Sequence, residues 1–157
     1  MVDIQTVSIA VASASVTVAA IYYVWQIRHQ GKLRQMDLVI RLASEFKNRE
    51  FLEAQANIFE TEFTDYDDFV KKYGKLYSSG KYPISFQLIA NFFEQVGILY
   101  KNKLIEPVLI DQILAVSVTW EKLKRFVEYA RVEYHDPRLW EWFEYLYNEM
   151  KKREQRK

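Results

Sequence analysis

The chain has 157 residues and a formal charge of +1; half of its residues are hydrophobic, 16% are aromatic, and cysteine is absent. That length suits one domain plus an appendage, and the near-neutral balance argues against a dedicated nucleic-acid binder, which carries a basic excess. Without cysteine there is no disulfide, no thiolate metal site and no cysteine nucleophile, in keeping with a reducing compartment.

The first element is an uncharged run of 24 residues, Ile4 to Ile27, bounded by Asp3 and Arg28. As a helix it is about 36 Å long, enough to cross a hydrocarbon core of about 30 Å with some tilt. Seventeen of its residues are apolar; the others are Gln5, Thr6, Ser8, Ser13, Ser15, Thr17 and Gln26. Hydroxyls tolerate lipid when they bond back to the preceding turn's carbonyls. Tyr22, Tyr23 and Trp25 sit where an interfacial aromatic belt belongs, and Arg28, His29, Lys32 and Arg34 follow at once. A cleaved signal peptide competes, with Ala10-Val11-Ala12 as a cleavage pattern, but Met1-Val2-Asp3 supplies no basic side chain. A buried soluble helix competes less well, because the uncharged run exceeds the usual helix length. The run is therefore expected to be a transmembrane anchor. Basic residues flank only its C-terminal end, so the positive-inside rule expects a short N-terminus outside and a cytoplasmic C-terminal domain.

Small residues at four-residue spacing favour close approach of helices in lipid. Ala10 and Ala14 share one face of the run, Ser15 and Ala19 a second, Ser13 and Thr17 a third, and no Leu or Phe occurs in it. The expected partners are the membrane itself and either a second copy of the chain or another membrane protein. The stripe Leu33, Met36, Ile40 and Ala43 would continue such an association beyond the lipid.

Past Arg28 the apolar spacing stays helical. Leu33, Met36, Val39, Ile40, Ala43 and Phe46 recur at three- and four-residue steps, so the anchor is expected to run on as one helix. Asn48 offers a cap for a helix carrying Phe51, Leu52, Gln55, Ile58 and Phe59. Thr64-Asp65-Tyr66-Asp67 reads as a second cap, for a helix bearing Phe69, Val70, Tyr73, Leu76 and Tyr77 and stopping at Ser78-Ser79-Gly80. Pro83 suits the first turn of the next helix, with Ile84, Leu88, Ile89, Phe92, Phe93, Val96 and Leu99. Pro107 opens a stretch reaching Tyr134, with a break expected near Ser117–Thr119. Asp136-Pro137 reads as a cap and first turn for a last helix with Leu139, Trp140, Phe143, Leu146 and Tyr147. The expected fold is all-α: an anchor at 1–27 continuing into a cytoplasmic helical bundle at 28–152, then a basic tail at 153–157.

Few residues suggest chemistry. Ala90, Glu94 and Gly97 lie on one line of their helix, expected to mark close approach of a neighbouring helix with Glu94 paired to Arg125 or Arg131. Seven acids between Glu50 and Asp68 (Glu50, Glu53, Glu60, Glu62, Asp65, Asp67 and Asp68) spread over two helices and a loop, without a calcium-loop pattern, and read as a solvated face. His29 and His135 lie too far apart in their elements to share a site. Trp120, Trp140 and Trp142 read as core and interface aromatics. With no phosphate loop, nucleophile elbow or zinc pattern, no enzyme activity, cofactor, metal or small-molecule substrate is expected.

The succession Gln26-x-Arg28, Glu45-Phe46, Phe93-Glu94-x-Val96-Gly97, Trp120, Arg131 and Asp136-Pro137-x-x-Trp140-x-x-Phe143-Glu144 resembles the prokaryotic membrane-anchored proteins grouped as domain of unknown function 4760. The resemblance covers nearly the whole chain, although the segment from Asp65 to Tyr82 matches none of its motifs. It implies a single-pass helical protein and brings no activity and no catalytic residues. The role expected is a protein-interaction or scaffold module at the membrane, or else an accessory or regulatory subunit of a larger membrane complex.

Overall fold

A computed structural model describes residues 3–156. Met1, Val2, the Thr6 side chain and Lys157 of the basic tail lie outside the described residues. Seven helices run in the order α1 (Ile4–Phe46), α2 (Arg49–Glu60), α3 (Tyr66–Tyr73), α4 (Lys81–Lys101), α5 (Pro107–Ile113), α6 (Val116–Glu133) and α7 (Glu141–Glu154). No strand occurs among the described residues. The all-α expectation therefore holds. The chain divides into two compact units, Met1–Leu38 and Val39–Lys157.

The first unit is most of α1. From Ile4 to Ile27 its apolar side chains are exposed: Ile9, Val16, Val18, Ile21, Tyr22 and Trp25 are all at least 60% exposed. Among the described residues one helix is long and apolar enough to cross a membrane, Val7–Phe46, and its most apolar window has mean hydropathy 1.9 and none of it is buried. Four hydroxyls inside the run are satisfied locally. Ser8 Oγ donates to Ile4 O at 3.0 Å, Ser13 Oγ to Ile9 O at 2.8 Å, Ser15 Oγ to Val11 O at 2.8 Å and Thr17 Oγ1 to Ser13 O at 2.9 Å. These four donors stay paired when their surroundings cannot hydrogen-bond.

The second unit is built on aromatic packing. Phe51, Phe69, Phe86, Phe93, Phe126 and Phe143 are fully buried, one or more from each of α2, α3, α4, α6 and α7. α4 is the central element, packed chiefly on α2 and α7, while α6 packs on α7. Leu42 near the C-terminal end of α1 is buried in this core, and the Phe46 ring packs at a tilt against Phe51 and Phe92 with centroids 5.1 and 6.2 Å away.

Local signals placed the early caps correctly. Asn48 Oδ1 accepts from Glu50 N at 3.1 Å, and Asp65 Oδ1 accepts from Asp68 N at 2.8 Å. Three expectations need correction, and α2 buries only part of the apolar set it carries. The buried face of α2 is Phe51, Ala54, Asn57 and Ile58, while Leu52 and Phe59 are 50% and 48% exposed. α3 stops at Gly74, whose φ of 97° only glycine adopts without strain, ahead of Ser78–Gly80. The break after Pro107 comes at Leu114–Ala115, before Ser117. Asp136 does not cap the last helix: its Oδ1 accepts from Arg138 N at 2.9 Å, closing a turn, and α7 begins at Glu141.

Candidate functional site

The residues singled out in the C-terminal half of the chain converge where α4, α6 and α7 meet. Gly97 is the contact point. A Cβ built there would lie 2.1 Å from Trp142 O and 2.5 Å from Trp142 C, so the main chain of α7 occupies the space a side chain would need. Ala90 on the same line is fully buried. Small residues on α4 thus let α7 lie against its backbone.

That closeness gives Glu94 its role. The residue before α7 is Trp140, which has left-handed backbone (φ 55°, ψ 38°) and supplies no side-chain cap. The first amides of a helix need acceptors, normally from a cap residue in the same chain segment. Here Glu94 Oε2, one turn before Gly97, accepts from Phe143 N at 2.9 Å. The carboxylate stands at the positive end of the α7 dipole, where negative charge is favoured. Burial nevertheless pushes the Glu94 pKa up, against the lowering effect of the Phe143 and Trp142 amides and of nearby Arg131. The expected ion pair with Arg125 or Arg131 is replaced by main-chain amides. Arg125 instead lines a cleft of about 630 Å³ with Thr61, Glu62, Lys122 and Glu128, where Lys122 Nζ donates to Thr61 O at 2.9 Å.

Arg131 clasps the segment leading into α7. Its Nε donates to Leu139 O at 2.8 Å and its Nη1 to Glu144 Oε2 at 2.6 Å, with the side chain 18% exposed. Nη2 is buried without a partner in the structure. The turn itself is a helix stop: His135 is left-handed at φ 52°, and Asp136 N donates back to Arg131 O at 3.1 Å. Trp140, 4% exposed, donates from Nε1 to Asn91 Oδ1 at 2.8 Å. The bonds Asn91–Trp140 and Glu94–Phe143 keep step, three residues on each helix, because α4 and α7 run side by side in the same direction. Trp120 is 2% exposed and packs edge-on to Phe143 and against Tyr147, with centroids 4.9 and 5.8 Å away.

Glu94, Gly97, Arg131, Trp140 and, through Phe143, Trp120 therefore form one constellation. Glu94, Arg131 and Trp140 each bond to the main chain or side chains of the segment around the α7 start or of α4, an arrangement that fixes the position of α7. Among the described residues no three His, Asp or Glu side chains group as a metal site would require. Sequence reasoning overlooked Asn91 as a partner; its three-residue offset from Glu94 was the available signal. The acidic residues spread as local contacts, with Asp68 Oδ2 accepting from Lys72 Nζ at 2.8 Å and Glu53 Oε1 from Arg49 Nε at 2.7 Å.

Ala10 and Ala14 belong to the first unit and are exposed on α1. Ala14 lines a trough of about 590 Å³ with Val11, Ser15, Val18, Ala19 and Tyr22. No curated protein and no solved structure shows significant similarity to the chain. Residues 10–150 match the family described as Domain of unknown function (DUF4760), a match that takes in the α1 surface as well as the α4–α6–α7 junction, and the chain belongs to that family.

Proposed function

We propose that the protein is a single-pass membrane protein whose N-terminal span carries a cytoplasmic helical bundle, and that the bundle is a non-catalytic interaction or scaffold module. The observation that carries this reading is the contrast between two kinds of apolar residue. Many of those of the second unit are buried in an aromatic core, whereas those of α1 from Ile9 to Ile27 lie bare. A bare apolar helix of this length is far more than a soluble monomer exposes, and lipid is the solvent that suits it. The cytoplasmic side follows from Arg28, Lys32 and Arg34 flanking one end only. An accessory subunit of a larger membrane complex is the second reading, favoured by Leu33, Met36 and Ile40, which are 56%, 59% and 63% exposed. A reporter fused after Lys157 tests the topology: activity of a cytoplasmic reporter is expected, and a periplasmic or extracellular readout would overturn the orientation. Purification from native membrane then separates the two readings, a homo-oligomer supporting the first and an obligatory second membrane protein the other.

A further inference from the structure

Just past the uncharged run, α1 carries a groove of about 590 Å³ lined by Trp25, Arg28, His29, Gly31, Lys32 and Gln35. Arg28 and Lys32 are four residues apart and so share a face. Trp25 and His29, also four apart, stack with ring centroids 5.6 Å apart and planes 8° from parallel. No carboxylate lines the groove. Gly31 contributes no side chain to it. A glycine within a helix is destabilising relative to alanine, and at Gly97 the approach of α7 explains it. At Gly31 a Cβ would meet nothing within 4 Å, so no packing demand excludes a side chain. What the missing side chain yields is space beside two cations.

The apolar trough of Val11, Ala14, Ser15, Val18, Ala19 and Tyr22 precedes Trp25, His29 and Lys32 on one helical line. The sequence 11, 15, 18, 22, 25, 29, 32 advances by threes and fours, so the trough runs on to the Trp25–His29 stack and Lys32, with Arg28 beside them and Gly31 further round the helix. One hollow is apolar and lies within the uncharged run; the other is cationic and aromatic and lies at its end. A free phosphate would use only the second. A phospholipid uses both.

We propose that this line is a binding site for an anionic phospholipid, with its phosphate between Arg28 and Lys32, the Trp25–His29 stack as a wall, and an acyl chain along the trough. The inference rests on the membrane reading above and adds a ligand class to it. Each cation near an anionic membrane surface strengthens association about fivefold. The full chain is reconstituted in nanodiscs containing equal amounts of phosphatidylcholine and phosphatidylglycerol, and lipids retained on release are counted by native mass spectrometry. The wild type is expected to retain phosphatidylglycerol in preference. R28Q/K32Q is expected to lose that preference by about thirtyfold. G31L, which keeps every charge and fills the groove, is expected to lose it too, while R34Q, outside the groove, keeps it. Equal retention of both lipids by the wild type, or an R34Q loss equal to that of R28Q, would overturn the site in favour of diffuse surface attraction. Displacement of the lipid by millimolar glycerol phosphate would overturn it in favour of a plain anion site. Alkaline extraction of native membranes reads the anchoring separately: a protein that stays in the membrane but shows no lipid preference refutes this inference alone, whereas one that is extracted refutes the membrane reading.

Discussion

The same substitution, glycine to alanine, should have opposite effects at the two helical glycines Gly97 and Gly31. At Gly97 the added Cβ would meet Trp142 O at 2.1 Å and Trp142 Cβ at 3.0 Å. The obstacle is main chain, so no rotamer change removes it. Restoring ordinary contact requires α4 and α7 to separate by about 1.3 Å at this point. That movement would stretch the 2.9 Å bond from Phe143 N to Glu94 beyond hydrogen-bond distance and loosen the stack of Phe93 on Phe143, now 4.7 Å between centroids. Overpacking costs about 1–3 kcal/mol and loss of a cap about 1 kcal/mol, offset by about 1 kcal/mol of helix propensity. The net is roughly 1–3 kcal/mol of destabilisation, a fall of about 4–12 °C in Tm for a unit of this size. At Gly31 only the propensity gain operates, because nothing lies within 4 Å. Near-ultraviolet circular dichroism of the full chain in mild detergent reports melting of the aromatic core. A G97A variant melting at or above wild type would refute the account of the α4–α7 contact, and a G31A variant that lost α1 helicity would refute the reading of Gly31 as unpacked.

Three further outcomes follow from the same geometry. Because the folded state raises the Glu94 pKa above its ordinary value of 4.5, it binds the proton more tightly than the unfolded chain does. This group's contribution to stability is therefore greatest below pH 4.5 and falls as pH rises through the folded pKa. E94Q, which keeps an acceptor for Phe143 N, should be tolerated much better than E94A, and wild type should gain on E94Q as pH is lowered from neutral towards 4.5; a constant difference across that range would refute the linkage. Arg131→Lys should lower stability by about 1–3 kcal/mol, since one ammonium on a shorter fork cannot hold both Leu139 O and Glu144 in their present geometry; an unchanged melting curve would show that the clasp contributes nothing. Crosslinking in native membrane should give a discrete band that weakens when Ala10 and Ala14 are replaced with Leu, with insertion intact. Equal crosslinking by an all-leucine span would place the association wholly in the bundle.

What the sequence by itself determined was whatever depends on near neighbours. The uncharged run from Ile4, the continuation of α1 to Phe46, and the caps at Asn48 and Asp65 each rest on spacing or on a side chain bonding two or three residues away. Even the peculiarity of Ala90, Glu94 and Gly97 was visible as a line of small residues interrupted by a carboxylate. Only the tertiary structure decided what meets that line. In α2, two apolar stripes overlap, one through Phe51 and Ile58 and one through Leu52 and Phe59; packing against α4 selects the first. The start of α7 was misplaced because Asp136-Pro137 carries the local signature of a helix cap, and locally it closes a turn. The acceptor that does cap α7 is Glu94, forty-nine positions earlier in the chain. Periodicity and capping propensities are interactions within one or two helical turns. A cap borrowed from another helix, admitted only because Gly97 lets two backbones touch, is a property of the packed fold.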